Sequence, residues 1–309
     1  MTVAGAAGTP DISALAVPPA QVGESPFWHP DEEALYWVDI PGRALHRYKP
    51  AAGEHRQWGL KAEPGCIAPL RGGQLLMARR DGLWRFDPAT AASRRLAAPP
   101  FKPTSQRFND GKADPQGRLW AGTVDDAREP KAALYRWDGE SLTRQRRDIS
   151  NANGLAFSPD GRTLYHADTQ AHRIDAFDFD PVEGSLSAQR VFAQFPLKPA
   201  GHDPQSGPGS YGGRPDGAAV DADGNYWVAM FEGQRLLQLA PDGRELQSIA
   251  LPVRCPTMPC FGGADLRTLY VTSARAGRSE AELAEQPLAG SVLVLRVAVP
   301  GLPVNFASA

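Results

Sequence analysis

Four oxygen-bearing side chains stand at nearly one level of an irregular repeat. Glu24 lies 13 residues before Trp37, Asn109 lies 11 before Trp120, Asn153 lies 12 before Tyr165, and Asp216 lies 11 before Trp227. Each is followed by a turn signal and then a short strand-forming run, as in Asp114-Pro115-Gln116-Gly117 ahead of Leu119-Trp120-Ala121, or Asp221-Ala222-Asp223-Gly224 ahead of Tyr226-Trp227-Val228. If the repeat closes on itself, equal offset in sequence becomes equal height around an axis. Two carboxylates and two amide oxygens converging there form a hard-oxygen site for a divalent cation, with positions left for water or substrate. Without a cation, Glu24 and Asp216 would repel one another in a confined space and one would titrate high. Taken singly, Asn153-Gly154 and Asp216-Gly217 are ordinary turn dipeptides and Glu24 is an exposed charge. The shared offset is what sets them apart.

The elements that must position these residues are strands. The aromatic or apolar centres Trp37, Met77, Trp120, Tyr165, Trp227 and Tyr270 are separated by 40, 43, 45, 62 and 43 residues. A period of about 40–45 residues is that of a four-stranded propeller blade. Further strands follow each centre, for example Ala44 to Tyr48, Gly82 to Phe86, Ala133 to Trp137, Ile174 to Asp178, Leu236 to Leu239 and Ser291 to Leu295. No segment has a long amphipathic helical period. The expectation is an all-β chain, one six-bladed β-propeller with four-stranded antiparallel blades. A loose lead-in over 1–20 precedes a single domain over 21–309, and a Pro/Gly/Ser-rich loop over 196–214 fills the one long interval near the channel mouth. The first strand of each blade lines the channel. The matching positions of the second and sixth blades, near Gly65-Cys66 and Thr257-Met258-Pro259, offer no carboxylate and serve as walls. Arg107, beside Asn109 and Asp110, points into the same mouth to hold a hydroxylated or anionic group. His166 and His172 are candidates for the pocket rim, and Arg144 to Arg147 for a solvated edge strand.

Composition excludes several classes. With 309 residues, 33 basic against 35 acidic and a net charge of −2, the chain has neither the basic surplus of a nucleic-acid binder nor that of a protein held on acidic membranes. No apolar run is long enough for a membrane span, and the opening residues have no basic segment followed by an apolar one, so a cytoplasmic protein is expected. Cys66, Cys255 and Cys260 suit a reducing compartment, and their spacing fits buried small apolar residues better than a disulfide or zinc site. There is no Gly-x-Ser-x-Gly elbow to suggest a serine esterase.

Gly23-Glu24-Ser25-Pro26, Arg107-Phe108-Asn109-Asp110-Gly111-Lys112, Asn153-Gly154-Leu155-Ala156-Phe157, Pro215-Asp216-Gly217 and Phe261-Gly262-Gly263 with Leu269 to Ser273 resemble, in order, the motifs of the senescence marker protein (regucalcin)/gluconolactonase family. The resemblance runs from about Val22 to Val297. It implies a six-bladed propeller that hydrolyses sugar lactones with one divalent cation in its channel, calcium, zinc, manganese, magnesium and iron all remaining open. Carried over residue by residue, it makes Glu24, Asn153 and Asp216 the metal ligands and Arg107 and Asn109 substrate-binding positions. The chain departs from the regucalcin branch where that branch has a substrate-contacting glutamate: here Gly122-Thr123 is followed by Val124-Asp125-Asp126-Ala127, with Ala127 at the aligned place, and Asp125 or Asp126 is the expected substitute. The substrate expected is an aldonolactone of the gluconolactone, xylonolactone or arabinonolactone type. Asp216 is the expected catalytic proton carrier, able to take a proton from the attacking water and return it to the ring oxygen. A monomer or weak dimer is expected. The rival readings are another metal-dependent hydrolase on the same scaffold, of the organophosphate hydrolase type, and a non-catalytic propeller acting as an interaction platform.

Overall fold

The computed structural model describes residues 10–203 and 210–309. Its strands fall into six antiparallel sheets of four, arranged as a six-bladed propeller. Their inner strands are Gly23–His29, Pro64–Pro69, Gln106–Ala113, Ala152–Phe157, Arg214–Val220 and Pro256–Gly262. Each inner strand packs beside those of the two neighbouring blades, so the six enclose one channel. The second strands, from Ala34–Asp39 in blade 1 to Thr268–Ser273 in blade 6, contain all six expected strand centres.

A blade buries its two faces only against its neighbours, and the apolar residues sort accordingly. Six buried clusters form, one at each blade-to-blade interface; Trp28, Leu35 and Trp37 of blade 1, for instance, meet Cys260, Tyr270 and Val292 of blade 6. The turn aspartates noticed in the repeat lock the hairpins. Asp114, fully buried, accepts from the Trp120 indole at 3.0 Å and from the backbone N–H groups of Gln116 and Arg118, and Asp221 accepts from the Trp227 indole at 2.8 Å. Arg144 to Arg147 lie on Leu142–Ile149, the outermost strand of blade 3, and all three cysteines are buried and unpaired.

The ring closes through a segment that carries no repeat signal of its own. Ser13–Ala14, inside the stretch expected to be a loose lead-in, pairs antiparallel with Leu293–Arg296 as the fourth strand of blade 6, so this part of the lead-in is ordered and joins the two ends of the chain. A six-residue helix, Glu280–Glu285, interrupts blade 6; Ser279 caps it by accepting from the Glu282 N–H, a serine-to-glutamate spacing that is a recognisable start signal. No helix among the described residues is long and apolar enough to cross a membrane. The expected loop over 196–214 connects blades 4 and 5, and its residues 204–209 lie outside the described residues.

Candidate active site

Each inner strand slips register once against its neighbour, and the slips fall at the same level: between Glu24 and Phe27, Pro64 and Cys66, Phe108 and Gly111, Asn153 and Ala156, Pro215 and Ala218, and Pro256 and Met258. Such bulges bend a strand and re-aim the side chain at the slip. The Asn153-Gly154 and Asp216-Gly217 dipeptides, turn signals when taken singly, are bulges inside strands. Gly154 has φ of 61°, and a Cβ there would stand 2.4 Å from the Tyr226 hydroxyl, so both conformation and close packing demand glycine. In blade 1 the equivalent left-handed residue is Ser25, at φ of 49°; its Oγ accepts from the Ile67 N–H of blade 2 at 3.0 Å, and its own N–H donates to Glu24 Oε2 at 3.2 Å.

The four offset-matched residues all come to this level and all are buried. Hydrogen bonds tie three blades together there. Arg107 Nη1 donates to Asn109 Oδ1 at 2.6 Å; Asn109 Nδ2 donates to Asn153 Oδ1 at 2.8 Å and to the Ala152 carbonyl at 3.0 Å; Asn153 Nδ2 donates to Thr169 Oγ1 at 2.7 Å; and Thr169 donates to the carbonyl of Pro215, next to Asp216, at 2.8 Å. The chain of donors fixes both amides: Asn109 Oδ1 accepts from Arg107 and Asn153 Oδ1 accepts from Asn109, so each oxygen keeps one further lone pair. Asn109 thus links Arg107 to Asn153 at the level of Glu24 and Asp216. Thr169 and Asn151, also bonded into this network, had no signal in the repeat.

Electrostatically the site is tense. Burial pushes Glu24 well above the usual carboxylate range, and Asp216 and Asp110 push it further; Asp216 is pushed up to about 8, first by burial and then by Asp110. Neither carboxylate has an ion-pair partner among the described residues. Asp110, one residue past Asn109, went unassigned in the sequence; it accepts from the Leu155 N–H at 2.8 Å, leaves Oδ1 without a partner, and titrates high through burial. Among the described residues no three His, Cys, Asp or Glu side chains gather as a metal cluster, so any cation at the axis has two carboxylates and completes its shell with amide oxygen and water.

Other expected residues have bonding partners of their own. Asp125 or Asp126 was the expected substitute for a substrate-contacting glutamate, and both side chains are hydrogen-bonded in the loop after the second strand of blade 3. Asp125 Oδ1 accepts from the backbone N–H groups of Ala127 at 3.1 Å and Glu129 at 3.2 Å, and Asp126 receives Arg80 Nη1 at 3.0 Å and Nη2 at 3.2 Å. His166 is buried cross-strand from Asp175 and held neutral, down to about 3, by burial and then by Arg146 and Arg173; His172 bonds the Tyr211 hydroxyl. Beyond the bulges, the C-terminal halves of the inner strands and the 302–305 tail enclose a cavity of about 600 Å³ with a mainly apolar lining that includes Phe27, Phe157, Val220 and Phe261. It lies at the opposite end of the channel from Glu24 and Asp216, neither of which lines it.

This chain matches the family described as SMP-30/gluconolactonase/LRE-like region over residues 22–275. It is 43% identical to 6-deoxy-6-sulfogluconolactonase of Pseudomonas putida, across 92% of this chain and 94% of that protein, and 33% identical to a pentonolactonase of Haloferax volcanii, across 92% and 93%. Among solved structures it is similar to a regucalcin from Agrobacterium tumefaciens, described as a calcium-binding protein, with a TM-score of 0.87 and 28% identity over 95% of this chain and 96% of that one. With that match covering most of a six-bladed chain, the chain belongs to the SMP-30/gluconolactonase/LRE-like family.

Proposed function

We propose that this protein is a divalent-cation-dependent lactonase, a carboxylic ester hydrolase that opens aldonolactones to aldonic acids at the polar mouth of its channel. The observation that carries this reading is the buried, unpaired couple Glu24 and Asp216, both titrating high, beside an amide oxygen fixed by Asn109 and Thr169. Two acids held together with no cation beside them are costly, and a divalent ion converts that cost into binding. Glu24, Asn153 and Asp216 would hold the ion. When bound, it supplies electrophilic polarisation of the lactone carbonyl. The chain's own residues do the rest. Asp216 accepts a proton from the attacking water and returns it to the ring oxygen as the C–O bond breaks. Asn109, pinned by Arg107, keeps the Asn153 amide turned toward the axis and with Arg107 orients substrate hydroxyls. The lactonase names of the relatives support the substrate class.

The test is hydrolysis of gluconolactone, xylonolactone and arabinonolactone by chelated protein with calcium, zinc, manganese, magnesium or iron added back, spontaneous opening subtracted, and a phosphotriester as comparison substrate. Metal-restored lactone turnover above the phosphotriester rate is the expected result; phosphotriester turnover alone would put the organophosphate reading first, and no turnover of either would leave the platform reading.

A further inference from the structure

The hydrogen bonds at the axial level form a chain that can run in one direction only. A guanidinium donates and never accepts, and a backbone carbonyl accepts and never donates. Arg107 stands at one end and the Pro215 carbonyl at the other, so the polarity of every group between them is set. Arg107 Nη1 donates to Asn109 Oδ1, Asn109 Nδ2 to Asn153 Oδ1, Asn153 Nδ2 to Thr169 Oγ1, and the Thr169 hydroxyl to Pro215. Turning the Asn153 amide over would set its NH2 against that of Asn109 and draw the Thr169 hydrogen away from Pro215. Asn109 is secured twice more, because its NH2 also reaches the Ala152 carbonyl at 3.0 Å and Asn151 Oδ1 at 3.2 Å. Asn153 has no such reserve: among the described residues its NH2 has Thr169 as its one acceptor.

Thr169 is built to hold that place. It is buried just past the second strand of blade 4, Thr163–Asp168. Its N–H donates to the Asn151 carbonyl at 3.1 Å and its carbonyl accepts from the His172 N–H at 3.2 Å, while the neighbouring Asp168 accepts from the N–H groups of Ser150 at 2.9 Å and Asn151 at 3.2 Å. Branching at Cβ restricts its χ1, so a fixed backbone means a fixed hydroxyl. That one hydroxyl accepts from Asn153 of blade 4 and donates to the residue before Asp216 of blade 5. Pro215 is also where the inner strand of blade 5 slips register, the slip that aims Asp216.

We infer that Thr169 is a positioning residue for the cation site. It holds the Asn153 amide in the orientation that presents its oxygen, and it ties that amide to the backbone carrying Asp216, so the two ligands are set together across the interface of blades 4 and 5. This deepens the lactonase reading and rests on its assignment of Asn153 and Asp216 as ligands. Without the hydroxyl, a buried NH2 and a buried carbonyl each lose a partner, and the amide is free to turn.

Calorimetric titration of chelated protein tests this, using whichever of calcium, zinc, manganese and magnesium binds the wild type most tightly, with circular dichroism confirming each fold. Valine keeps the shape of threonine without its hydroxyl, so Thr169→Val should bind the cation about 10- to 100-fold more weakly at unchanged stoichiometry, the range for groups that orient metal ligands. Thr169→Ser retains the hydroxyl and should bind nearly as the wild type does. Thr169→Ala should match Thr169→Val and replaces it if valine does not fold. In Asn153→Ala the amide is gone, so adding Thr169→Val there should weaken binding far less than it does in the wild type. A threonine needed for the fold alone would lower the denaturant midpoint in both backgrounds and leave cation affinity unmoved. Saturating cation should return most of the lactone kcat to Thr169→Val, which Asp216→Asn does not recover. Wild-type affinity in Thr169→Val, or an equal loss with and without Asn153, would overturn the inference and leave the lactonase reading standing; a wild type that binds none of the four cations would overturn both.

Discussion

Along the inner strands of blades 1, 4 and 5, an acid or amide stands at the bulge and apolar residues follow it: Glu24 against Phe27 and Trp28, Asn153 against Ala156 and Phe157, Asp216 against Ala219 and Val220. One end of the channel holds acids that burial forces upward in pKa; the other holds the cavity and packs against the blade interfaces. On the lactonase reading proposed above, a single strand serves stability over one half and chemistry over the other, and the bulge is the border. Bulges disrupt pairing locally, so the functional end is the one where the ladder is weakest.

The sharpest way to break this comparison is to remove function from one end and packing from the other. Asp216→Asn, assayed with its cation restored at saturation, should lower kcat by about 10²–10⁴-fold, because an amide cannot carry the proton. Its fold should persist, since the substitution removes a buried charge that titrates high. Phe261→Ala at the apolar end should do the reverse. Phe261 is buried edge-on against Trp227 with centroids 6.1 Å apart, and its truncation should cost about 3–5 kcal/mol by denaturant titration while the folded fraction keeps its kcat.

Acidity sharpens the contrast further. In metal-free protein Asp216 holds its proton up to about 8, so a cation must displace it, and apparent affinity should rise roughly tenfold per pH unit from pH 6.5 to 8 and flatten above. Over the same interval the metal-free fold should lose on the order of 2 kcal/mol, because an acid with a raised folded-state pKa favours the folded state below that value and the unfolded chain has already released its proton. Loaded protein should show no such loss. Histidines confine the window. His46 and His166 are held neutral, down to about 4 and about 3, chiefly by burial, so they destabilise the fold only as pH falls below about 6.5. Calorimetric titrations and melting curves at pH 6.5, 7.25 and 8 check both halves.

The smallest effect belongs to a residue the sequence placed at the substrate. Asp126 is an exposed partner of Arg80, and Asp126→Ala should change stability by less than about 1 kcal/mol, as measured by denaturant midpoint.

Legibility followed physical cause. The second strands were readable because each follows a turn with local chemistry, an aspartate in five blades and Gly72-Gly73 in blade 2, and Trp37, Trp120 and Trp227 mark them directly. The axial residues were readable because a ring turns sequence offset into height. What stayed hidden was whatever the repeat does not repeat. Ser13–Ala14 joins its blade through a partner about 280 residues away, a pairing with no local signature. Asp125 and Asp126 look like free acids in sequence, and only the loop's folded path shows them consumed by backbone N–H groups and Arg80.

The central claim is that the polar mouth is a cation site built by Glu24, Asn153 and Asp216, and one measurement addresses it most directly: calorimetric metal titration of chelated wild type and Glu24→Gln, with circular dichroism confirming the fold of both. Gln keeps the shape of Glu24 and removes its charge, so the account predicts one ion per wild-type chain and at least about a tenfold loss of affinity in the variant. Identical stoichiometry and affinity in the two proteins would contradict it.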